Sequence, residues 1–178
     1  MPDWQAEAII LSVRPHGEGS AVISVLTADY GRHAGLVRGG ASSKMRGIIQ
    51  PGNRVRVSWR ARLSEQLGQM QIELVQSVPA LLLDSPLRLS GVASMCALLD
   101  GALPEREAQP GLFEGSAALL DVIVLDDDNV GWVEGYVRWE LGLLAAVGYR
   151  LDLARCVASG QTSDLAFVSP KSGGAVAR

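Results

Sequence analysis

The amino-acid sequence predicts an α+β protein that is mainly β in its first part and α-helical afterwards. Short β-rich runs separated by Gly- and Pro-containing turns fill the first 78 residues. After Pro79, apolar residues recur at helical spacing instead. The charge changes sign at the same point. Residues 1–78 carry nine Lys/Arg against six Asp/Glu, and residues 79–178 carry seven against thirteen. Such asymmetry suggests two domains with different partners, although chance remains an alternative.

The strands of the first part follow one another closely. We expect them at residues 7–13, 20–26, 32–38, 54–62 and 69–78, with one helical turn in the loop at 39–52. The fourth is the clearest, because polar and apolar residues alternate from Asn53 to Arg62 with the period of a half-buried strand. Trp59 lies on the apolar face and is expected in the barrel core rather than as a platform for a base. Five such strands favour an OB fold, a barrel that commonly binds nucleic acid on its strand face.

Three helices are expected in the second part, at residues 87–103, 112–125 and 132–147. Cys96 lies on the apolar face of the first and is expected to be a small buried hydrophobe. The acidic run Asp126–Asp128 lacks the spacing of a calcium loop, so we interpret it as a solvated loop that caps the next helix. From Tyr149 onwards the chain is expected to be loop-like, with one short strand at residues 166–168. The predicted domains are therefore 1–78, an OB-fold nucleic-acid-binding domain, and 79–178, an α-helical domain.

The candidate binding site is the stretch from Arg32 to Arg62. It holds eight basic residues and no Asp or Glu, although the whole chain has a net charge of −3. A cationic segment in an acidic chain favours phosphate binding, driven by counterion release without base specificity; the alternative is a solvated, arginine-rich sheet face. Arg14, before the turn at Gly17 and Gly19, is a minor further candidate. The predicted DNA-binding residues are Arg14, Arg32, Arg38, Lys44, Arg46, Arg54, Arg56, Arg60 and Arg62.

Several other classes of protein find no support in the sequence. Two distant cysteines, Cys96 and Cys156, do not form a disulfide framework. The N-terminus lacks the pattern of a signal peptide, and no apolar run reaches the roughly 18 residues of a membrane span. We therefore expect a soluble, cytoplasmic protein that does not bind membranes. The sequence contains no Walker loop, no His-rich metal cluster and no GxSxG elbow, so we expect no enzymatic activity.

The order of these pieces resembles the bacterial recombination mediator family RecO. The similarity is carried by AIILSVRPHGEGSAVISVLTADYGRHAGLVRGGASSKMRG, the QPG turn, the basic strand, ELVQSVP, LGLLAAVGYRLDLARCVASG and LAFVSPKSGGA. The resemblance implies an OB domain followed by a helical domain, binding and annealing of single-stranded DNA, and work at the nucleoid. It also implies assembly with RecR, binding of the acidic tail of single-stranded DNA-binding protein, and help in loading RecA onto coated DNA. Double-stranded DNA is a further partner that we leave open.

One departure from the family pattern concerns zinc. Some members carry a four-cysteine knuckle after the central helix, which begins Cys-x-x-Cys. Here Cys156 is followed by Ser159 where the second cysteine would fall, and a closed zinc site needs four ligands. The segment near residues 149–178 is therefore interpreted as a degenerate knuckle, and we expect no zinc and no other cofactor.

Two hypotheses follow. The leading one is a non-enzymatic mediator that holds DNA on the basic barrel face and protein partners on the helical domain. The alternative is a protein-interaction adaptor, in which the barrel binds a protein and the arginines are a solvated surface. A nuclease is a third class with little support.

Overall fold

The computed structural model describes residues 2–126 and 131–178 of the chain. It contains eight strands and five helices in the described part. In chain order they are β1 (Asp3–His16), β2 (Ser20–Thr27), β3 (Gly31–Arg38), α1 (Ser43–Ile48), β4 (Arg54–Arg60), β5 (Gln69–Gln76), α2 (Val78–Leu81), α3 (Pro86–Ala102), α4 (Pro110–Leu125), α5 (Gly131–Ala146), β6 (Asp152–Cys156), β7 (Leu165–Val168) and β8 (Gly174–Ala177). The predicted α+β class is confirmed.

Strands β1 to β5 close into a barrel with the order β1-β2-β3-β5-β4. All neighbouring pairs are antiparallel except β3 and β5, which pair in parallel at Leu36 and Gln69. The long strand β1 pairs with both β2 and β4, and its register against β2 shifts between Ile10 and Ser12. A bulge of this kind bends a strand, which lets β1 serve two neighbours. The predicted five-stranded OB barrel is confirmed.

The barrel interior is filled by alternate residues of its strands. On β4, Val55, Val57 and Trp59 are at most 2% exposed, as the alternation predicts. The indole Nε1 of Trp59 donates a hydrogen bond to the Leu67 carbonyl at 3.0 Å, which satisfies its one polar group inside an apolar core. The expectation that Trp59 is core rather than a base platform is confirmed.

A second apolar layer lies on the outer side of β1 and β2. Ile9 and Leu26 face each other across these strands and are buried although they point away from the barrel interior. Helix α3 packs on β1 here, with Cys96 Sγ 3.5 Å from the Ile10 carbonyl oxygen. Each aliphatic side chain buried this way stabilises the fold by about 1.5–3 kcal/mol. Cys96 is the small buried hydrophobe that its helix position predicts.

Local signals set the helix boundaries. Helices α2, α3 and α4 each carry a proline in their first turn, where the missing N–H has no intrahelical partner to lose. At the start of α5, the Asp126 carboxylate accepts a hydrogen bond from the Trp132 backbone N–H at 2.8 Å, as expected of a capping residue. Asp127 and Asp128, the rest of the predicted acidic loop, lie outside the described residues.

The chain forms two compact units, Met1–Tyr136 and Val137–Arg178. The second unit contains a three-stranded sheet with the order β6-β8-β7, in which β6 is parallel and β7 antiparallel to β8. The expectation of a loop-like tail with one strand is therefore wrong. Its strands are only four or five residues long, and β6 and β7 are mostly exposed, so they lack the hydrophobic alternation from which a strand is predicted. Among the described helices, none is both long enough and apolar enough to cross a membrane.

Candidate nucleic-acid interface

Three of the predicted cations lie close together in sequence at one end of the barrel. Arg38 is the last residue of β3, and Lys44 and Arg46 lie on α1. The Ser42 hydroxyl begins this helix by accepting the Met45 N–H at 3.3 Å. All three basic side chains are exposed, and within residues 2–126 and 131–178 none forms an ion pair with Asp or Glu. Arg46 donates from Nε to the Ala41 carbonyl at 3.2 Å, which leaves its charge unneutralised.

The outer face of β4 carries charge pairs rather than free arginines. Arg56 lies 3.5 Å from Glu73 on β5, and Arg60 lies 3.9 Å from Asp3 on β1. The register also pairs Arg56 with Glu7 of β1. The alternation predicts a row of arginines on this face, with Ser58 among them, but the neighbouring strands supply acids beside the arginines. These pairs are exposed and worth only about 0–1 kcal/mol each, yet they cancel the positive potential that a phosphate would meet.

Arg54, at the start of β4, is held by helix α4. Its Nη2 lies 2.9 Å from the Asp121 carboxylate and also donates to the Ala117 carbonyl. Only 24% of the side chain is exposed, so the guanidinium has exchanged solvent for partners in the same chain. The structure therefore gives Arg54 a role in joining the barrel to α4.

Arg32 and Arg14 converge on a single carboxylate of helix α3. Asp100 lies 3.5 Å from Arg32 and 3.6 Å from Arg14. Burial by itself would raise the pKa of the Asp100 carboxyl, but the nearby hydroxyls of Ser24 and Ser12 and the two guanidinium charges together lower that pKa below its ordinary value. Arg32 also donates from Nε to the Leu103 carbonyl at 2.7 Å. Arg32 is thus half-buried, and its guanidinium contacts groups of the same chain. In contrast, 71% of the Arg14 side chain is exposed.

Arg62 follows β4 in the exposed loop that leads to β5. It makes no ion pair with Asp or Glu in the described part of the chain. It therefore joins Arg38, Lys44 and Arg46 as a cation available to an external anion.

The linker between α3 and α4 contributes a residue that sequence reasoning missed. The Arg106 N–H donates to the Arg32 carbonyl at 2.7 Å, and Glu105 forms an isolated parallel bridge with Arg32. The Arg106 guanidinium donates to the Gln66 carbonyl at 2.8 Å and also to that of Ser64. The linker therefore lies along the edge of β3 and fixes the loop between β4 and β5. Its sequence shows no alternation, so nothing in it signalled a strand-like contact.

An aromatic cluster lies beside the first residues of β1. Trp4 stacks on Tyr30, with ring centroids 4.3 Å apart, and on Trp59 at 5.7 Å. His33 meets Trp59 edge-on at 4.7 Å. Burial first, and then the positive charge of Arg106, lower the pKa of His33 to about 4, so His33 is neutral at pH 7. Trp4 precedes the expected start of the first strand, which is why the sequence did not connect it to the barrel.

A cavity of about 650 Å³ opens next to this cluster. Its walls come from the end of β3, helix α1, the end of β4 and the first residues of β1 and β5. Trp4, Met45 and Ile72, which are partly exposed, provide apolar surface, and Arg38 lines the same space. The unneutralised cation at the end of β3 thus borders a cavity with both apolar and polar lining.

Cys156 ends β6, and its surroundings explain its chemistry. A hydrogen bond from the Ser159 hydroxyl, with backbone hydrogen bonds from Ala177, Ser159 and Ala158, lowers the pKa of the Cys156 thiol to about 6. Ser159 has no thiolate to offer a metal. Among the described residues, no group of three or more His, Cys, Asp and Glu side chains is arranged to hold a metal ion. The absence of zinc stays a prediction.

Comparison with known proteins finds the same family over both parts of the chain. Two family models match, described as Recombination protein O N terminal over residues 1–78 and Recombination protein O C terminal over residues 83–178. A protein of Rhodospirillum centenum named DNA repair protein RecO is 51% identical over 176 residues, covering 98% of this chain and 69% of that protein. Proteins of the same name from Jannaschia sp. and Cereibacter sphaeroides are 48% and 50% identical, covering 99% and 100% of this chain and 70% and 72% of their own lengths.

Proposed function

Because this chain belongs to the RecO family of DNA repair proteins, we propose that it binds single-stranded DNA and anneals complementary strands. We further propose that it acts with RecR to load RecA onto DNA coated by single-stranded DNA-binding protein, whose acidic tail it binds. It performs these roles at the nucleoid without making or breaking covalent bonds. Annealing needs only that two strands be held and their charges screened, which cationic side chains can do.

One observation carries the DNA-binding part of this proposal. Within the described residues, Arg38, Lys44, Arg46 and Arg62 are exposed without an acidic partner, whereas the other predicted arginines pair with carboxylates of the same chain. A phosphate that approaches the first group displaces only solvent and counterions. A phosphate that approaches the second group must compete with a carboxylate already in place. The DNA path therefore follows the end of β3 and helix α1, and the β4 face contributes little.

The test is the salt dependence of binding to a labelled single strand, measured by fluorescence anisotropy. Each phosphate contact contributes about −0.7 to the slope of log K against log salt for single strands. The double variant Arg38→Ala/Arg46→Ala should bind more weakly and lose about 1.4 from that slope. The matched control Arg14→Ala/Arg56→Ala removes the same charge from the barrel, but from residues that pair with Asp100 and Glu73, so its slope should stay near that of the wild type.

Each outcome has a consequence for the proposal. If the control loses as much slope as the first variant, the strand follows the paired arginines and the assigned residues are wrong. If the wild-type chain does not bind DNA at low salt, the DNA-binding proposal fails, and the adaptor function takes its place. The annealing rate of two complementary strands should fall in the Arg38→Ala/Arg46→Ala variant, while the control pair should anneal them at the wild-type rate.

A further inference from the structure

The cavity beside Arg38 lies where a bound strand would pass. Arg38 itself lines the cavity, and so does Met45, which sits between Lys44 and Arg46 on α1. The helix therefore presents two unneutralised cations on either side of an apolar cavity-lining side chain. Phosphates that follow these cations would carry their sugars and bases to the cavity mouth.

The lining of the cavity matches the chemistry of a nucleobase. A base needs apolar surface for its ring faces and polar groups for its edge. The partly exposed side chains of Trp4, Met45 and Ile72 supply the first, and Gln69 and Gln71 line the same space with amide groups that can both donate and accept hydrogen bonds. The volume of about 650 Å³ falls within the range of roughly 300–1,000 Å³ found for small-molecule pockets.

The charges around the cavity favour the same ligand. Its lining includes Asp3 as well as Arg60, but these two form a pair at 3.9 Å and largely cancel each other. Arg38 then remains as the uncompensated charge of the lining, in the described part of the chain. A cavity of mixed apolar and polar lining that is bordered by a cation fits a ligand that joins a flat ring to a phosphate.

We propose that this cavity receives one unstacked nucleobase of the strand whose phosphates lie on Arg38, Lys44 and Arg46. The inference rests on the proposed function, and it adds a preference for single-stranded over double-stranded DNA. A base that is paired and stacked in a duplex cannot enter the cavity without being extruded, and extrusion costs a few kcal/mol. The chain therefore holds a single strand more tightly than the duplex that annealing produces, so that pairing itself releases the product.

The experiment compares a labelled oligothymidylate with an abasic sugar–phosphate strand of equal length and charge. Stacking of one base on protein typically changes affinity by about five- to a hundredfold, so the wild-type chain should prefer the oligothymidylate by about that factor. Met45→Glu and Ser43→Glu add the same charge to the same short helix, but of the two only Met45 lines the cavity. Met45→Glu should bring the two strands to nearly equal affinity, whereas Ser43→Glu should weaken both and keep the preference.

A crosslinking arm locates the base directly. A strand that carries 5-iodouracil should crosslink on irradiation to the peptide that contains Trp4 or Met45. Adducts found only on other peptides would overturn the inference. So would equal, salt-dependent binding of both strands by the wild-type chain, a result that leaves the proposed DNA binding intact. Failure of the wild type to bind either strand would instead remove the proposed function and this inference together.

Discussion

Replacing Arg32 is expected to destabilise the fold while leaving DNA binding nearly unchanged. The Arg32 Nε donates to the Leu103 carbonyl at 2.7 Å, and its Nη1 lies 3.5 Å from both Asp100 and Glu105. A hydrogen bond that involves a charged group contributes about 1.5–3 kcal/mol, and the pair with the exposed Glu105 about 0–1 kcal/mol. Arg32→Ala also leaves Asp100 with the mostly exposed Arg14 as its cation. Together these losses should lower the free energy of unfolding by about 2–4 kcal/mol.

Two measurements on the same variants separate a structural from a DNA-binding role. Urea denaturation at pH 7 gives the free energy of unfolding, and anisotropy of a labelled single strand against salt gives the number of phosphate contacts. Arg38→Ala is the matched control, since Arg38 lies on the same strand but is exposed and has no acidic partner in the described residues. This control should change stability by less than about 0.5 kcal/mol and reduce the salt slope by about 0.7, the reverse of the result expected for Arg32→Ala.

The reasoning fails if the two variants exchange behaviour. An Arg32→Ala chain that unfolds at the wild-type urea concentration but loses salt slope would mean that its contacts with Leu103 and Asp100 give way to DNA. Intramolecular partners of a half-buried arginine would then not show whether it binds phosphate. By the same argument, Arg54 would again be a candidate DNA-binding residue.

Three further predictions concern single groups. Gly52→Ala should lower the free energy of unfolding by about 2–4 kcal/mol in urea denaturation, because Gly52 has φ +89° and a Cβ there would collide with Val92; unchanged stability would contradict the observed packing. Burial lowers the His33 pKa from 6.5 to about 4. The contribution of neutral His33 to the free energy of unfolding is therefore fully present above pH 6.5 and is lost as the pH drops toward 4. His33→Phe should flatten that part of the stability profile, and an unaltered profile would assign the titration to another group. The Cys156 thiol should titrate near pH 6 when thiolate absorbance is followed against pH, and Ser159→Ala should move that midpoint upward.

The sequence predicted the barrel well because the information for it is local. Alternation of polar and apolar residues along a strand predicts which face is buried. Val55, Val57 and Trp59 are buried as this alternation predicts. Closely spaced turns then limit how the five strands can pair. The same local logic failed for β6 and β8, which are only five and four residues long and pair in parallel although β7 lies between them in the chain. Their pairing is specified by contacts between distant residues, which periodicity does not record.

The candidate site could be predicted only in part, for a related reason. The sequence identified every arginine on the barrel surface, but not what lies opposite each one. Whether Arg56 meets a phosphate or Glu73 depends on the register of β4 against β5. Whether Arg54 is free depends on where α4 packs. A run of one charge along the chain is therefore a weaker predictor of a binding face than the same charge counted after the neighbouring strands and helices are in place.

The sign asymmetry between the two halves of the sequence has a related explanation. Residues 1–78 are net positive and residues 79–178 net negative, which suggested two domains with different partners. Some of these opposite charges pair with each other inside the chain, because Asp100 and Asp121 of the helical region neutralise Arg32 and Arg54 of the barrel. These pairs accompany the packing of α3 and α4 on the barrel and leave Arg32 and Arg54 without free charge there. Acids of the neighbouring strands pair with Arg56 and Arg60 in the same way. The positive charge without an acidic partner among the described residues lies on Arg38, Lys44, Arg46 and Arg62. The packing of helices and strands therefore determines which part of the basic stretch is available for the proposed contact with DNA.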